Sequence, residues 1–300
     1  MSPEKSTHKA GFVNILGYPN VGKSTLMNAL VGERLSVINS KAQTTRHRIM
    51  GIVNADDYQI VFSDTPGILQ PKYKLQEKMM GFVQTALKDA DVFLLVTDIT
   101  AVKEKSLELI PEKLKKEGVP VIVLINKIDI SNQQKLEEHV QFWKKELPHA
   151  QIYPVSAQLK FNLPTVLDNI VKLLPESPAY FDKDQLTDKS ERFFVTEIIR
   201  GNILNLYQEE IPYSVELNVE SFKDSEEILK IATTIYVERE TQKAIVIGSG
   251  GQAIKKLGMD SRKDLEEFFQ KKIFLELTVK VSEGWRDNDN QLKRFGYDNQ

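Results

Sequence analysis

Three short segments carry side chains whose types and spacing can do chemistry: GYPNVGKS at Gly17 to Ser24, DTPG at Asp64 to Gly67 and NKID at Asn126 to Asp129. The first fits G-x-x-x-x-G-K-[ST], the pattern of a loop that cradles phosphates. Gly17 and Gly22 can take backbone conformations closed to other residues. The loop through Tyr18, Pro19, Asn20 and Val21 can therefore turn its amide N–H groups onto an anion at a helix N-terminus. Lys23 is expected to reach the β- and γ-phosphates and Ser24 to place its hydroxyl on Mg²⁺, with Thr25 counted among the nucleotide-binding residues.

In the second segment the Asp64 carboxylate is expected to hold Mg²⁺ through a water, and the Gly67 amide to bond the γ-phosphate and lose that bond on hydrolysis. Thr65 and Pro66 make the turn between them. DTPG alone is only a turn; its weight comes from ending a strand roughly forty residues after a phosphate loop. The third segment selects the base. Guanine offers N1–H and its exocyclic N2 as adjacent donors to the Asp129 carboxylate, whereas adenine offers an acceptor and a C–H. A carboxylate left unpaired by ATP discriminates strongly, so NKID argues against an ATP-using kinase. Lys127 is expected along the purine face, and Asn126 on the base while tying this loop to the first. Ser156-Ala157 would supply the Ala157 amide to guanine O6. Read jointly, the segments predict a GTPase whose catalytic work falls to Lys23 and Gly67, together with Thr45 from the stretch between the first two segments.

Each segment needs a strand end to hold it. Phe12 to Leu16 is an apolar run before the first loop, Tyr58 to Ser63 precedes Asp64, and Val119 to Ile125 precedes Asn126. All three read as strands whose carboxyl ends share one edge of an open α/β sheet with helices on both faces, the edge where such folds bind ligands. Between the first two segments, KAQTTRHR (Lys41 to Arg48) is the place for a mobile threonine that closes over Mg²⁺. Thr45 is preferred to Thr44, and the basic residues around it also fit a solvated polar loop.

The chain has 300 residues, a net charge of -2 and no cysteine. Length predicts two domains, and the charge makes no case for wholesale nucleic-acid affinity. Absent cysteine excludes disulfides and thiolate chemistry. No apolar stretch approaches a membrane span, and the polar start MSPEKSTHK lacks the core of a secretion signal, so a soluble intracellular protein is expected. His8, His47, His139 and His149 are too scattered to suggest a metal site and read as solvated.

Pro175, Pro178 and the run DKDQLTDKS predict a boundary: residues 1–180 as the first domain, 181–190 as a linker and 191–300 as a second domain. In the second, Glu191 to Tyr207 reads as an amphipathic helix. Val215, Leu217 and Val219 alternate with Glu216, Asn218 and Glu220 as a half-buried strand; Ile228 to Val237 and Ile273 to Val281 read as two more. A small α+β domain follows. Before the last strand lies VIGSGGQAIKKLG, in which Gly248-Ser249-Gly250-Gly251 fits the GxxG turn that lets a nucleic-acid backbone approach closely. Residues 190–300 hold sixteen basic against twenty acidic side chains, yet residues 239–263 hold six against two. Those six, Arg239, Lys243, Lys255, Lys256, Arg262 and Lys263, surround the turn as phosphate contacts would require. Ile247, Gly248, Ser249, Gly250, Gly251, Lys255 and Lys256 are the candidate RNA-binding residues. A solvated helical face on a protein-binding domain is the competing reading.

A GTPase domain with KAQTTRHR, DTPG and NKID, then a KH-like module with VIGSGGQAIKKLG and a later Gly284-Trp285 pair, resembles the Era family of bacterial GTPases over nearly the whole chain. The resemblance implies a cytoplasmic GTPase, in some members loosely membrane-associated, that binds the 3′ end of small-subunit (16S) ribosomal RNA and assists maturation of that subunit. It also implies a type II KH fold whose disposition the nucleotide controls. A monomer is expected, because a GTPase joined to a KH module needs no second copy. The alternative function is a GTP-dependent signalling switch whose second domain binds a protein or a membrane surface. Where related switches have a water-orienting Gln after the DxxG glycine, this chain has Ile68, so slow intrinsic turnover is expected. Asn20 matches the loop asparagine that coordinates K⁺ in several related GTPases, where the ion replaces an arginine finger.

Overall fold

The computed structural model describes residues 8–101, 110–116 and 118–298. Residues 1–7, the bulk of the polar start, lie outside that description. The chain divides into two compact units, one of Met1–Ser36, Thr45–Gln70 and Met79–Asp188, the other of Val37–Thr44, Pro71–Lys78 and Lys189–Gln300. Two short segments from within the first 180 residues thus count with the second unit, which a division by sequence position alone does not anticipate.

The first unit is built on a six-stranded sheet: β1 (Lys9–Leu16), β2 (Ile49–Asn54), β3 (Tyr58–Asp64), β4 (Val92–Asp98), β5 (Val121–Asn126) and β6 (Gln151–Pro154), in the order β2-β3-β1-β4-β5-β6. Only β2 runs antiparallel. The central strands read as continuous apolar runs because both faces are covered, and β4 and β5 are buried throughout. Helices α1 (Lys23–Val31), α2 (Lys74–Asp89), α3 (Glu112–Lys115), α4 (Gln133–Glu146) and α5 (Leu163–Leu173) accompany the sheet. Asn132 caps α4 by accepting from the Lys135 amide, which satisfies one of the helix's free N–H groups. Parallel pairing places the ends of β1, β3 and β5, and with them all three motif loops, on one edge.

The run predicted as a linker is largely part of this unit. The Gln59 side chain accepts from the Tyr180 and Phe181 amides and donates to the Phe181 carbonyl. Further along, the Ile52 amide donates to Leu186 O, Thr187 Oγ1 to Met50 O, and the Met50 amide to Asp188 Oδ1. These bonds occupy polar groups of edge strand β2 that would otherwise invite another chain. The histidine expectation also fails at one position: His139 is buried on α4 rather than solvated.

The second unit has an antiparallel pair, β7 (Glu216–Asp224) and β8 (Leu229–Val237), with β9 (Ile273–Val281) added parallel to β8. Helices α6 (Glu191–Leu206) and α7 (Ile211–Ser214) both precede the sheet, and α8 (Glu240–Ile247) and α9 (Gln252–Phe269) lie between β8 and β9. Ser190 caps α6 through the Phe193 amide. Val195, Ile199, Ile203, Ile231, Ile235, Leu257 and Leu265 form its core. Glu216, expected to point outward, is buried instead because it accepts from the Tyr297 hydroxyl at 2.6 Å. Trp285 is fully buried, donates from Nε1 to Ser214 O at 3.1 Å and meets Phe295 edge-on. Helix α10 (Asp289–Arg294) closes the chain.

Candidate functional site

The phosphate loop joins β1 to α1 through the backbone its glycines allow. Gly17 has φ 148° and Gly22 φ 98°. A Cβ on Gly17 would lie 2.3 Å from Val96 O, and one on Gly22 would lie 2.3 Å from Asn126 Nδ2. Neither position has room for a side chain. Lys23 curls back over the loop, donating to Gly17 O at 3.1 Å and Tyr18 O at 2.9 Å. Burial pulls its pKa down to about 8, only partly offset by Asp64. A lysine so poorly compensated favours an added anion.

Ser24, Thr45 and Asp64 meet at one point. Ser24 Oγ donates to Asp64 Oδ2 at 2.7 Å and lies 3.0 Å from Thr45 Oγ1, which is 3.4 Å from the same carboxylate oxygen. Thr44 turns away and donates to Lys41 O at 2.6 Å. Asp64 is fully buried, and Oδ1 has no hydrogen-bond partner among the described residues. Burial pushes this carboxyl up, against the pull of Lys23 and of the nearby Ser24, Ser36 and Thr45 hydroxyls. Two hydroxyls and a carboxylate with an unsatisfied oxygen form a hard oxygen donor set that fits Mg²⁺.

Gly67 is pressed against the phosphate loop. A Cβ there would lie 2.7 Å from Pro19 N, and the following amide, that of Ile68, donates to Gly17 O at 3.2 Å. Thr65 is buried and donates from Oγ1 to Ile15 O, with Pro66 beyond it in the turn. Ile68 packs its side chain against the apolar core cluster around Phe93 and Leu95.

The base loop is tied in at both ends. Asn126 Nδ2 donates to Val21 O at 2.8 Å, and its Oδ1 accepts the Ala157 amide at 2.9 Å. Ser156 is buried and bridges to Phe161. Lys127 Nζ donates to Asn20 O at 2.8 Å and to Asp98 Oδ2 at 2.5 Å. Asp129, on the short turn after Lys127, is exposed.

Sequence reasoning passed over Asp98 and the network around Arg48. Arg48 donates to Ser63 Oγ at 2.6 Å, to Asp89 Oδ2 at 2.6 Å and to Asn14 Oδ1 at 3.3 Å. The reading of KAQTTRHR as a polar loop of solvated basic residues therefore fails at Arg46 and Arg48, which are both buried. One signal was available: Asn14 interrupts the apolar run of β1, and a buried amide needs partners.

In the second unit, α8 ends at Ile247 and Gly248 breaks it with φ 73° and ψ 171°. A Cβ on Gly248 would sit 2.6 Å from that of Ala253, whereas Gly250 and Gly251 have nothing within 4 Å. Ser249, Gly250, Lys255 and Lys256 are exposed, and Ile247 and Gly251 are half-buried. Beside this turn lies a groove of about 350 Å³ between α9 and β9, lined among others by Ile254, Lys255, Met259, Arg262, Phe274 and Leu277. Met259 and Phe274 are 52% and 55% exposed. The sequence signal for Phe274 was an aromatic at an outward position of an alternating strand.

Known proteins match both parts of the chain. The profile of the 50S ribosome-binding GTPase family matches residues 12–127, and a KH-domain profile matches residues 210–286. GTPase Era of Caldanaerobacter subterraneus subsp. tengcongensis is 43% identical over 292 residues, which is 97% of this chain and 98% of that protein. GTPase Era of Staphylococcus haemolyticus is 40% identical over 291 residues, 97% of each. Among solved structures, Era in complex with MgGDPNP and nucleotides 1506–1542 of 16S ribosomal RNA aligns at TM-score 0.90 and 37% identity, covering 97% of this chain and 99% of that one. A Tyr-to-Ala variant of Aquifex aeolicus Era bound to GDP and AlF4⁻ aligns at TM-score 0.92 and 38% identity, covering 96% and 99%.

Proposed function

The chain belongs to the Era family of GTPases, and from that premise we propose that it is a GTP-binding and GTP-hydrolysing switch that binds the 3′ end of 16S ribosomal RNA and assists maturation of the small ribosomal subunit. The observation that carries this reading is one chain holding both a glycine loop sealed against Asn126 and an exposed glycine turn beside a basic, partly aromatic groove.

GTP occupies the loop from Gly17 to Thr25, with Lys23 on the β- and γ-phosphates and Asp129 on the guanine edge. Mg²⁺, when bound by Ser24, Thr45 and Asp64, neutralises charge developing on the phosphates. Thr45 and the Gly67 amide sense the γ-phosphate, a role supported by Thr45 lying beside Ser24 and Asp64. Lys23 and the loop amides stabilise the transferring phosphoryl group. Ile68, packed into the core cluster, offers no group to orient water, so unaided turnover is slow. The Asn20 side-chain amide oxygen is a ligand of the type K⁺ takes, and we assign the ion to it. Equal turnover in sodium and potassium chloride at matched ionic strength would sink that assignment.

The RNA backbone runs over Gly248 to Gly251 with Lys255 and Lys256 on its phosphates, while unstacked bases lie against Phe274 and Met259. The protein acts in the cytoplasm as a monomer and touches the membrane surface only peripherally; among the described residues no helix is long and apolar enough to cross one. The deciding experiment is RNA capture from lysate with sequencing, comparing the unaltered chain with a Ser249→Asp, Gly250→Asp double variant. The double variant should keep GTP affinity and lose the 16S 3′ end. Capture that ignores the substitutions would favour a signalling switch whose second unit binds protein or lipid.

A further inference from the structure

The base-loop lysine has a partner that no motif names. Lys127 follows β5 with φ 63°, and its ammonium group is shared between Asn20 O at 2.8 Å and Asp98 Oδ2 at 2.5 Å. Asp98 ends β4 and stands opposite Asn126 in the ladder, so two adjacent parallel strands deliver the carboxylate and the lysine to the same edge. The other carboxylate oxygen is also held: Asp98 Oδ1 accepts from both the Thr100 amide and Thr100 Oγ1 at 2.7 Å. Asp98 is only 8% exposed. Burial pushes its carboxyl up, but hydrogen bonds from Lys127 and Thr100 outweigh burial and keep it below the usual carboxylate range. The group is charged at neutral pH, fixed by Thr100 and aimed at one lysine.

We propose that Asp98 is a positioning residue for guanine-nucleotide binding, holding Lys127 extended from the base loop to the phosphate loop so that its aliphatic stem is set in place to cover the purine face. A free lysine side chain samples many rotamers, and ordering it on binding subtracts from affinity. A charged anchor removes that cost before the nucleotide arrives. The neutral Asn20 carbonyl alone is a weaker hold, because hydrogen bonds with both partners ionised are the stronger kind. The proposal rests on the placement of Lys127 in the base pocket.

The test is a double-mutant cycle on the full chain, read as Kd and dissociation rate for fluorescent GDP. Asp98→Asn should raise Kd about tenfold, the loss of one charge-assisted bond, in a nucleotide-free protein that still unfolds in one cooperative transition. Lys127→Met should raise Kd comparably, and adding Asp98→Asn to it should cause no further loss. Equal losses from Asp98→Asn in both backgrounds would mean a merely structural role and overturn the proposal. No loss from Asp98→Asn while Lys127→Met weakens binding overturns it too, leaving the base-pocket assignment standing. If Lys127→Met itself leaves Kd unchanged, that assignment falls and the proposal with it. Thr100→Ala, which removes the hydroxyl bond to Asp98 Oδ1 and leaves the amide bond in place, serves if Asp98→Asn fails to fold: a rise in Kd seen only with Lys127 present supports positioning, and a rise in both backgrounds refutes it.

Discussion

Asn126 donates from its side-chain amide to the Val21 carbonyl at 2.8 Å, so the base loop and the phosphate loop are closed against each other by one buried hydrogen bond. Its carbonyl oxygen meanwhile orients the Ala157 amide. Asn126→Asp would keep the second bond and put a carboxylate oxygen against the Val21 carbonyl. An unsatisfied buried acceptor costs about 1–3 kcal/mol, which corresponds to a rise in Kd of roughly five- to 150-fold. Titration calorimetry should find that loss for GTP and GDP alike, because the bond braces the loop and not the γ-phosphate. A loss for GTP alone would contradict the geometry.

The glycines of the turn at Gly248 to Gly251 divide by role. Gly248 combines φ 73° with a 2.6 Å approach to Ala253 Cβ, whereas Gly250 has φ 57° and open space. Gly248→Ala should therefore lower unfolding stability by about 1–3 kcal/mol, the range for strained backbone positions. Gly250→Asn should change it by less than about 1 kcal/mol, since Asn tolerates the left-handed region. Thermal denaturation of the two variants separates a glycine the fold requires from one it does not.

The three motif loops were legible as loops because each follows an apolar run, and the structure does end β1, β3 and β5 at them on one edge of the sheet. The strands were legible because burial on both faces leaves continuous apolar runs such as β4 and β5. Partners set by tertiary register were not. Asp98 meets Lys127 only because β4 and β5 pair as they do, and Thr187 meets Met50 only because the segment after α5 returns along β2. Lys41 reads as a solvated cation, yet it donates to the Leu204 and Tyr207 carbonyls at the end of α6. Nothing local to Lys41 announces a helix end more than a hundred and fifty residues away.

Arg48 shows what such an unread contact is worth. It joins Asp89, Ser63 and Asn14, with side-chain exposures of 8% for Arg48 and 35% for Asp89 in the ion pair. Removing one member of a fully buried pair costs about 3–5 kcal/mol, and solvent at Asp89 reduces the figure here to about 2 kcal/mol. Arg48→Met should lose that much in denaturant unfolding, and adding Asp89→Asn should restore part of it by removing the stranded charge. If Arg48→Met unfolds at the same denaturant concentration as the unaltered protein, the network contributes nothing.

Tyr207 sets a pH limit on the second unit. Its hydroxyl donates to Val246 O at 2.8 Å, and burial pushes its pKa up to about 12 from 10.0. Between those two values the folded chain keeps a proton that the unfolded chain has released. Stability depends on pH through the difference in bound protons, so here it falls as pH rises. The contribution of Tyr207 is complete below pH 10 and is lost toward pH 12. Tyr207→Phe should lower stability at neutral pH by about 1 kcal/mol, the net value of one hydrogen bond. The same variant should show a shallower decline across the alkaline window. Denaturant unfolding of both proteins at intervals from neutral to strongly alkaline pH measures the difference, with all other titrating groups cancelling. Parallel curves would mean that the Tyr207 hydroxyl titrates as freely folded as unfolded, and that it is not buried in solution.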